Sequence, residues 1–350
     1  MEELNRLIYP EKIGNEEQLE ELLSRPGNEV IDMFSHLDGD MIFLGIAGKI
    51  GQSLALMAKR ACDKAGVNKR IIGVSLFENK EHQKRFEKDG IETIHGDLLD
   101  TKFTGSLPKV RNVFYLAGMK FGSVDNLALT WAINTYLPAI VADNFKQSRI
   151  VAFSTGCVYP LVPVESGGSL ETDAPDAIGE YAQSCLGRER MFEYGSIKNK
   201  TEVALIRLNY SVEMRYGVLV DIALKVKNNQ PVDLTMGYFN VIWQGDMNDF
   251  VLRSLEHVKS PAKVLNITGP EIISVRKVAE EFEKIFGVKT SFVNKEASTA
   301  LLNNSKQAHE LFGQPKVPVK QVIKWIGEWL SEEREILGKP THFEVRDGKY

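Results

Sequence analysis

The sequence predicts an α/β fold, a doubly wound parallel sheet with a smaller α/β substrate domain toward the C-terminus. Three observations predict it. Short apolar runs alternate with helix-length stretches between residues 41 and 208. The first run, Met41-Ile42-Phe43-Leu44, ends in the turn Gly45-Ile46-Ala47-Gly48-Lys49-Ile50-Gly51 and passes directly into a helical stretch. The chain has 350 residues, 43% hydrophobic and 26% charged, long enough to bury a large core without disulfides or metals.

Residues 1–38 are polar and helix-prone, with Leu19, Leu22 and Leu23 at helical spacing and a break at Pro26-Gly27-Asn28. They predict a helical extension ahead of the main fold. Residues 1–6 are acidic and amphipathic, without the charged-then-apolar order of a signal peptide. Strands follow at 41–44, 70–75, 91–95, 112–116, 149–154 and 203–208, with helices at 53–65, 125–146 and 178–198. Strands alternating with helices at this spacing make a parallel sheet covered on both faces, here one domain over 39–209. Over 210–350 the pattern loosens into helices at 218–228, 246–257, 275–286 and 319–337 and strands at 240–243 and 264–268. This is the expected substrate-binding region, with some segments returning to the first domain. Residues 338–350 have no period and read as a tail or a partner contact.

Composition excludes several classes. A net charge of −4 leaves no basic excess for coating nucleic acid. No window approaches 18 consecutive apolar residues, so no transmembrane helix is expected. Cys62, Cys157 and Cys185 are odd in number and widely spaced, which argues against a disulfide framework and for a reducing cytoplasm. The six histidines form no paired ligand motif, so no metal site is expected.

Gly45, Gly48 and Gly51 suit a dinucleotide: a tight turn, a close approach of backbone to diphosphate, and close packing of helix on strand. The helix N-terminus adds free N–H groups and partial positive charge. The loop does not stand alone. His95-Gly96-Asp97-Leu98, the run from Val113 to Lys120, Asn134, Phe153-Ser154-Thr155-Gly156-Cys157-Val158-Tyr159, Tyr181 to Glu189, and Arg207-Leu208-Asn209-Tyr210 follow in order. As a set, over residues 40–270, they resemble the extended short-chain dehydrogenase/reductase superfamily, the NAD-dependent epimerase/dehydratase family. The resemblance implies a Rossmann-type fold with NAD or NADP bound at Gly45, Gly48, Lys49, Ile50 and Gly51. It puts Asp97 and Leu98 along the adenine and Ala117 and Gly118 beside the cofactor. Lys120 falls near the phosphates or ribose, and Asn134 shapes the helix behind the site. Ser75 stands where a carboxylate would select NAD; serine can accept a 2′-hydroxyl or a 2′-phosphate, so both cofactors stay open.

The same resemblance assigns the chemistry. Tyr181 exchanges a proton with the substrate and touches the cofactor, and Thr155 hydrogen-bonds the reacting oxygen. The family's Tyr-x-x-x-Lys helix has Cys185 where the lysine belongs. Losing that ammonium removes a favourable effect on the phenolate on the order of a few kcal/mol in a dry site. Three outcomes are open: another cation such as Lys120 or Arg188 substitutes, Tyr181 acts only as a proton donor, or chemistry is lost while cofactor binding remains. Gly156 and Cys157 stand where dehydratases of the family carry acids, which disfavours sugar dehydration.

On the substrate side the candidates are Thr155, Cys157, Asn209 and Trp243, the last as an aromatic face for a sugar. Phe239-Asn240 replaces the Arg-Asp pair by which the family grips a nucleotide diphosphate. That points to a small polyhydroxylated substrate, such as a sugar, sugar acid or hydroxy acid. Residues 161–172, rich in Pro, Gly and Ser, are expected as a flap over the pocket. The sequence thus predicts an NAD(P)-dependent oxidoreductase or epimerase acting on a secondary alcohol or ketone. The rivals are a cofactor-binding sensor or scaffold without turnover, and an enzyme with thiol chemistry at Cys157 or Cys185. The resemblance also implies a homodimer through helices 125–146 and 178–198.

Overall fold

The computed structural model describes residues 9–349 apart from 121, 123 and 124. The acidic stretch 1–6 lies outside the described residues. Seven strands form one parallel sheet: β1 (Met41–Leu44), β2 (Ile71–Ser75), β3 (Glu92–His95), β4 (Asn112–Tyr115), β5 (Arg149–Thr155), β6 (Glu202–Leu208) and β7 (Lys263–Ile267). Their order across the sheet is β7-β6-β5-β4-β1-β2-β3. The predicted strands sit within a residue or two of these. The winding reverses between β1 and β4, the point in a doubly wound sheet where ligands bind beyond the carboxyl ends of the strands.

β1 is apolar throughout because it is central and covered on both faces. On one face Phe43 stacks on Phe114, centroids 4.6 Å apart, under Val30, Met33 and Phe34 of the helix Asn28–His36. Burying a phenylalanine of this kind is worth roughly 1.5–3 kcal/mol. On the other face Ile42, Leu44 and Tyr115 pack with Phe192. The helix Glu16–Leu23, capped by the Asn15 side chain on Gln18 N–H, buries Leu19, Leu22 and Leu23 in a third cluster. That cluster is centred on Trp243, Phe239, Phe282 and Trp325.

Three expectations need correction. The helix expected over 125–146 is Leu127–Trp131 and Leu137–Asn144 joined by a π turn at Ala132–Tyr136. In that turn Asn134 bonds the Met119 backbone and Thr135 Oγ1 donates to the Ser184 carbonyl. The last helix stops at Ser331, not 337, where the backbone turns back and Trp329 Nε1 donates to Glu335 O. The expected flap is a pinned wall. Val162–Pro163 pairs antiparallel with Thr299–Ala300, Ser169 N–H donates to Leu302 O, and Asn304 N–H donates to Ser169 O.

Candidate active site

The glycine turn has the shape its spacing predicts. Gly45 adopts φ +90°, and a Cβ there would stand 2.6 Å from the Ala117 nitrogen. A Cβ on Gly51 would run into the Ile46 carbonyl. Gly48 differs: its Cβ would meet only Gly45 O, at 3.3 Å, so its outer side is open for a ligand. The N–H groups of Gly48 and Gly51 turn onto Gly45 O and Gly48 O. Ser75 ends β2, and its carbonyl accepts from Gly96 N–H. Asp97 Oδ1 accepts from Leu99 N–H and shapes the next turn, while Leu98 is buried beneath it.

The side chains gathered near this turn define the candidate cleft, where Lys49 Nζ stands 2.7 Å from the Tyr216 ring centroid. Lys49 stays exposed to solvent, and the protein packed around its ammonium lowers its pKa, with Glu213 opposing. Lys120 also faces the cleft; its Nζ donates to Thr341 O at 3.1 Å and stands 6.0 Å from the Tyr181 ring centroid. Burial lowers its pKa too, against the pull of Cys157, Asp221 and Cys185.

Tyr181 sits on the first turn of the helix Gly179–Asn199, with Thr155 at the end of β5 beside it. Its phenol shares hydrogen bonds with the Thr155 hydroxyl and the Cys185 thiol. Burial holds the Tyr181 pKa well above the ordinary value, and Cys185 and Cys157 push it further. Arg188 and the Thr155 bond pull it back. Cys185 is buried and its pKa rises for the same reason, again opposed by Arg188. Cys157 lines the same pocket with Ala182, Leu301, Tyr181 and Tyr210, and its N–H donates to Thr155 Oγ1 at 3.2 Å.

Behind this pocket Arg188 is held by neutral groups. It donates to Phe153 O at 2.8 Å and to Asn134 Oδ1 at 2.7 Å, and a Cβ on Gly118 would stand 2.7 Å from its Nη2. Asn134 in turn ties Met119 N–H, Met119 O and Ser184 Oγ. The neighbouring Glu189 serves elsewhere. It pairs with buried Arg207 at 2.7 Å and accepts from Ser154 Oγ, while Arg207 donates to Tyr159 and Tyr159 to Asn266.

Tyr181, Thr155, Cys157, Cys185 and Lys120 therefore converge. Asn209 lies on the same side, beneath Gly156, with Nδ2 toward Leu301 O. Trp243 does not join them. It is 2% exposed in the core and packs on Trp325 at 5.5 Å, so a substrate has no access to it. A strand tryptophan faces core or cleft according to tertiary packing, which its sequence neighbours do not fix. Tyr210 packs with Cys157 and Tyr181, the Tyr216 ring takes the Lys49 ammonium, and Asp221 accepts from Thr341. Tyr210 had a signal in the motif Arg207 to Tyr210; Tyr216 and Asp221 had none.

The sequence matches no family model and no curated protein. Solved structures match well in fold. The UDP-glucuronic acid 4-epimerase of Bacillus cereus, in complex with a fluorinated UDP-glucuronic acid analogue and NAD, aligns with TM-score 0.71 and 16% identity. The match covers 84% of this chain and 99% of that one. Pal from Bacillus thuringiensis aligns with TM-score 0.68 and 19% identity, covering 84% and 100%. The UDP-glucose 4-epimerase of Thermotoga maritima, with UDP-glucose, aligns with TM-score 0.67 and 17% identity, covering 84% and 99%. The chain thus shares the mixed α/β, Rossmann-like fold of these proteins. No helix among the described residues is long and apolar enough to cross a membrane.

Proposed function

We propose that the protein is an NAD(P)-dependent epimerase or oxidoreductase that acts on a secondary alcohol or ketone of a small polyhydroxylated substrate. The observation that carries this reading is the open outer side of Gly48, facing the cleft in which Tyr181 and Thr155 share a hydrogen bond. The turn fits a diphosphate, and the structural relatives that hold NAD support the same cofactor. Gly45, Gly48, Lys49, Ile50 and Gly51 would hold the diphosphate, Ser75, Asp97 and Leu98 the adenosine end, and Ala117, Gly118 and Lys120 the inner wall. When bound, the nicotinamide supplies hydride transfer.

The chain's own residues supply proton transfer. Thr155 fixes the reacting oxygen by a hydrogen bond, and Tyr181 gives it a proton or takes one. The raised pKa of Tyr181 favours the neutral phenol and hence proton donation to a developing alkoxide. Arg188, and Lys120 at the cleft edge, stand as the cations near a phenol that has a thiol where the family has an ammonium.

Two buried residues favour a substrate without a nucleotide. Phe239 is packed against Phe343, and Asn240 spends its amide on Asn303 N–H and Glu271 O. Neither is free to grip a diphosphate. The UDP-sugars in the structural relatives favour the alternative, a nucleotide sugar. The Cys185 thiol favours a third reading, a cofactor-binding sensor. We further propose a helical extension to residue 38, a dinucleotide-binding domain to 209 and a substrate region beyond. A homodimer forms through the helical stretches 125–146 and 178–198, and three unbridged cysteines fit a reducing cytoplasm.

The deciding experiment is titration with NADH and NADPH by fluorescence, followed by a screen of sugars, sugar acids and UDP-sugars for a change in the reduced-cofactor absorbance. Cofactor binding with turnover that Tyr181→Phe abolishes without weakening the cofactor supports the enzyme. Tight binding without turnover on the whole panel supports the sensor. Failure to bind either nucleotide removes the reading.

A further inference from the structure

The C-terminal segment 339–349 does not trail away from the body. It crosses from the substrate half to the start of the Tyr181 helix, anchored at each step. Thr341 N–H and Oγ1 both donate to Asp221, and its carbonyl takes the Lys120 bond. Phe343 is 1% exposed and packs on Phe239. Glu344 pairs with Lys225 at 3.1 Å. Arg346 donates to Thr299 O at 2.8 Å and to Thr299 Oγ1 at 2.6 Å. At the far end Gly348 and Gly179 lie backbone to backbone. Each has positive φ, +77° and +82°, and a Cβ on either would collide with the Ile178–Gly179 or Gly348 main chain. Both glycines are therefore required by this approach.

We infer that this segment is a fixed roof over the substrate cleft and sets the size of what the cleft accepts, excluding a nucleotide from the space beside Tyr181. The inference rests on the proposed cofactor and Tyr181 chemistry and adds the element that limits the substrate. The geometry carries it. Lys120 Nζ donates to Thr341 O at 3.1 Å and stands 6.0 Å from the Tyr181 ring centroid, so one side chain links the segment to the reacting group. Phe343 closes over Phe239, which is fully buried beneath it, and Arg346 ties the segment to Thr299, so the segment covers this part of the substrate half. Six anchors hold the segment, so removing it costs far more than displacing a loose tail.

Two full-length variants test this. Gly348→Val breaks the close approach at the Tyr181 helix and leaves Phe343 in the core. Phe343→Ala with Arg346→Ala releases the middle of the roof. UDP-glucose is titrated by calorimetry into each protein saturated with NAD, with NADH fluorescence as the separate check on the cofactor. The expected result is no UDP-glucose binding by wild type up to ~1 mM, and a gain of at least about tenfold in both variants with NADH affinity unchanged. Wild type that takes UDP-glucose at micromolar concentration overturns the roof, as do variants that match wild type. Loss of NADH binding by wild type marks failure of the underlying reading instead.

Discussion

Arg188 Nη2 donates to Asn134 Oδ1 at 2.7 Å, and the same oxygen accepts from Met119 N–H at 2.8 Å. A guanidinium is thereby locked one helical turn beyond Cys185, where the family resemblance calls for an ammonium at 185 itself. Positive charge thus stands in the layer behind the Tyr181 pocket, one turn from the neutral thiol at 185.

This sets an outcome for the obvious repair. A lysine at 185 would bring a second buried cation against Arg188, and like charges in a desolvated site cost on the order of 2–4 kcal/mol. Cys185→Lys is expected to lower thermal stability strongly. Arg188→Ala in the same chain recovers part of the loss despite its own cost. A double-mutant cycle from thermal melts reads the coupling, and additive effects would refute it.

The glycine turn separates folding from binding. Gly51→Ala drives a methyl into the Ile46 carbonyl and is expected to destabilise the apoprotein by about 2 kcal/mol or more. Gly48→Ala meets only Gly45 O at 3.3 Å, so it leaves stability within about 1 kcal/mol while weakening NADH at least tenfold. Equal NADH affinity in Gly48→Ala and wild type would remove the diphosphate from this turn.

Burial pushes Asp246 up to about 7, with Asp249 adding to it against the Val317 and Lys316 backbone bonds. Unfolded, the group titrates near ~3.9, so between these values the native state holds the extra proton. Stability therefore falls as pH rises across that window and levels off above it, by an amount on the order of a few kcal/mol. Melting temperatures from pH 5 to 8.5 should drop, and Asp246→Asn should flatten the drop while still accepting from Val317 N–H. A flat wild-type profile contradicts this.

Leu127, Trp131 and Tyr136 are exposed along 127–136, and Tyr194 and Ile197 are exposed on the Tyr181 helix itself. A groove of about 340 Å³ runs between Trp131, Thr135, Tyr136, Ala139 and Met191. An apolar surface of this extent is expected to be covered by a second copy. Sedimentation should give a dimer, and Tyr136→Asp with Tyr194→Asp a monomer; a monomeric wild type counts against the pairing.

Much of the frame was legible because its causes are local. The apolar run 41–44, the glycines after it and the strand spacing all follow from periodicity and turn chemistry. Tyr181 and Thr155 were legible from a motif. What escaped depends on distant partners. Helix Lys80–Lys88 buries only Phe86, so its polar sequence carried little period. The segment 339–349 is fixed by single anchors such as Phe343 and Arg346, which no repeat announces. Trp243 reads alike facing core or cleft. Arg188 gains its meaning from Phe153 and Asn134, residues from other elements.

Glu189 and Arg207 face each other with almost no solvent, and Ser154 and Tyr159 complete their shells. Removing either charge alone leaves the other stranded, at roughly 3–5 kcal/mol, whereas exchanging both for apolar residues of similar volume is often neutral. The two positions thus act as one unit for redesign: exchanging both together is expected to be tolerated where exchanging either alone is not.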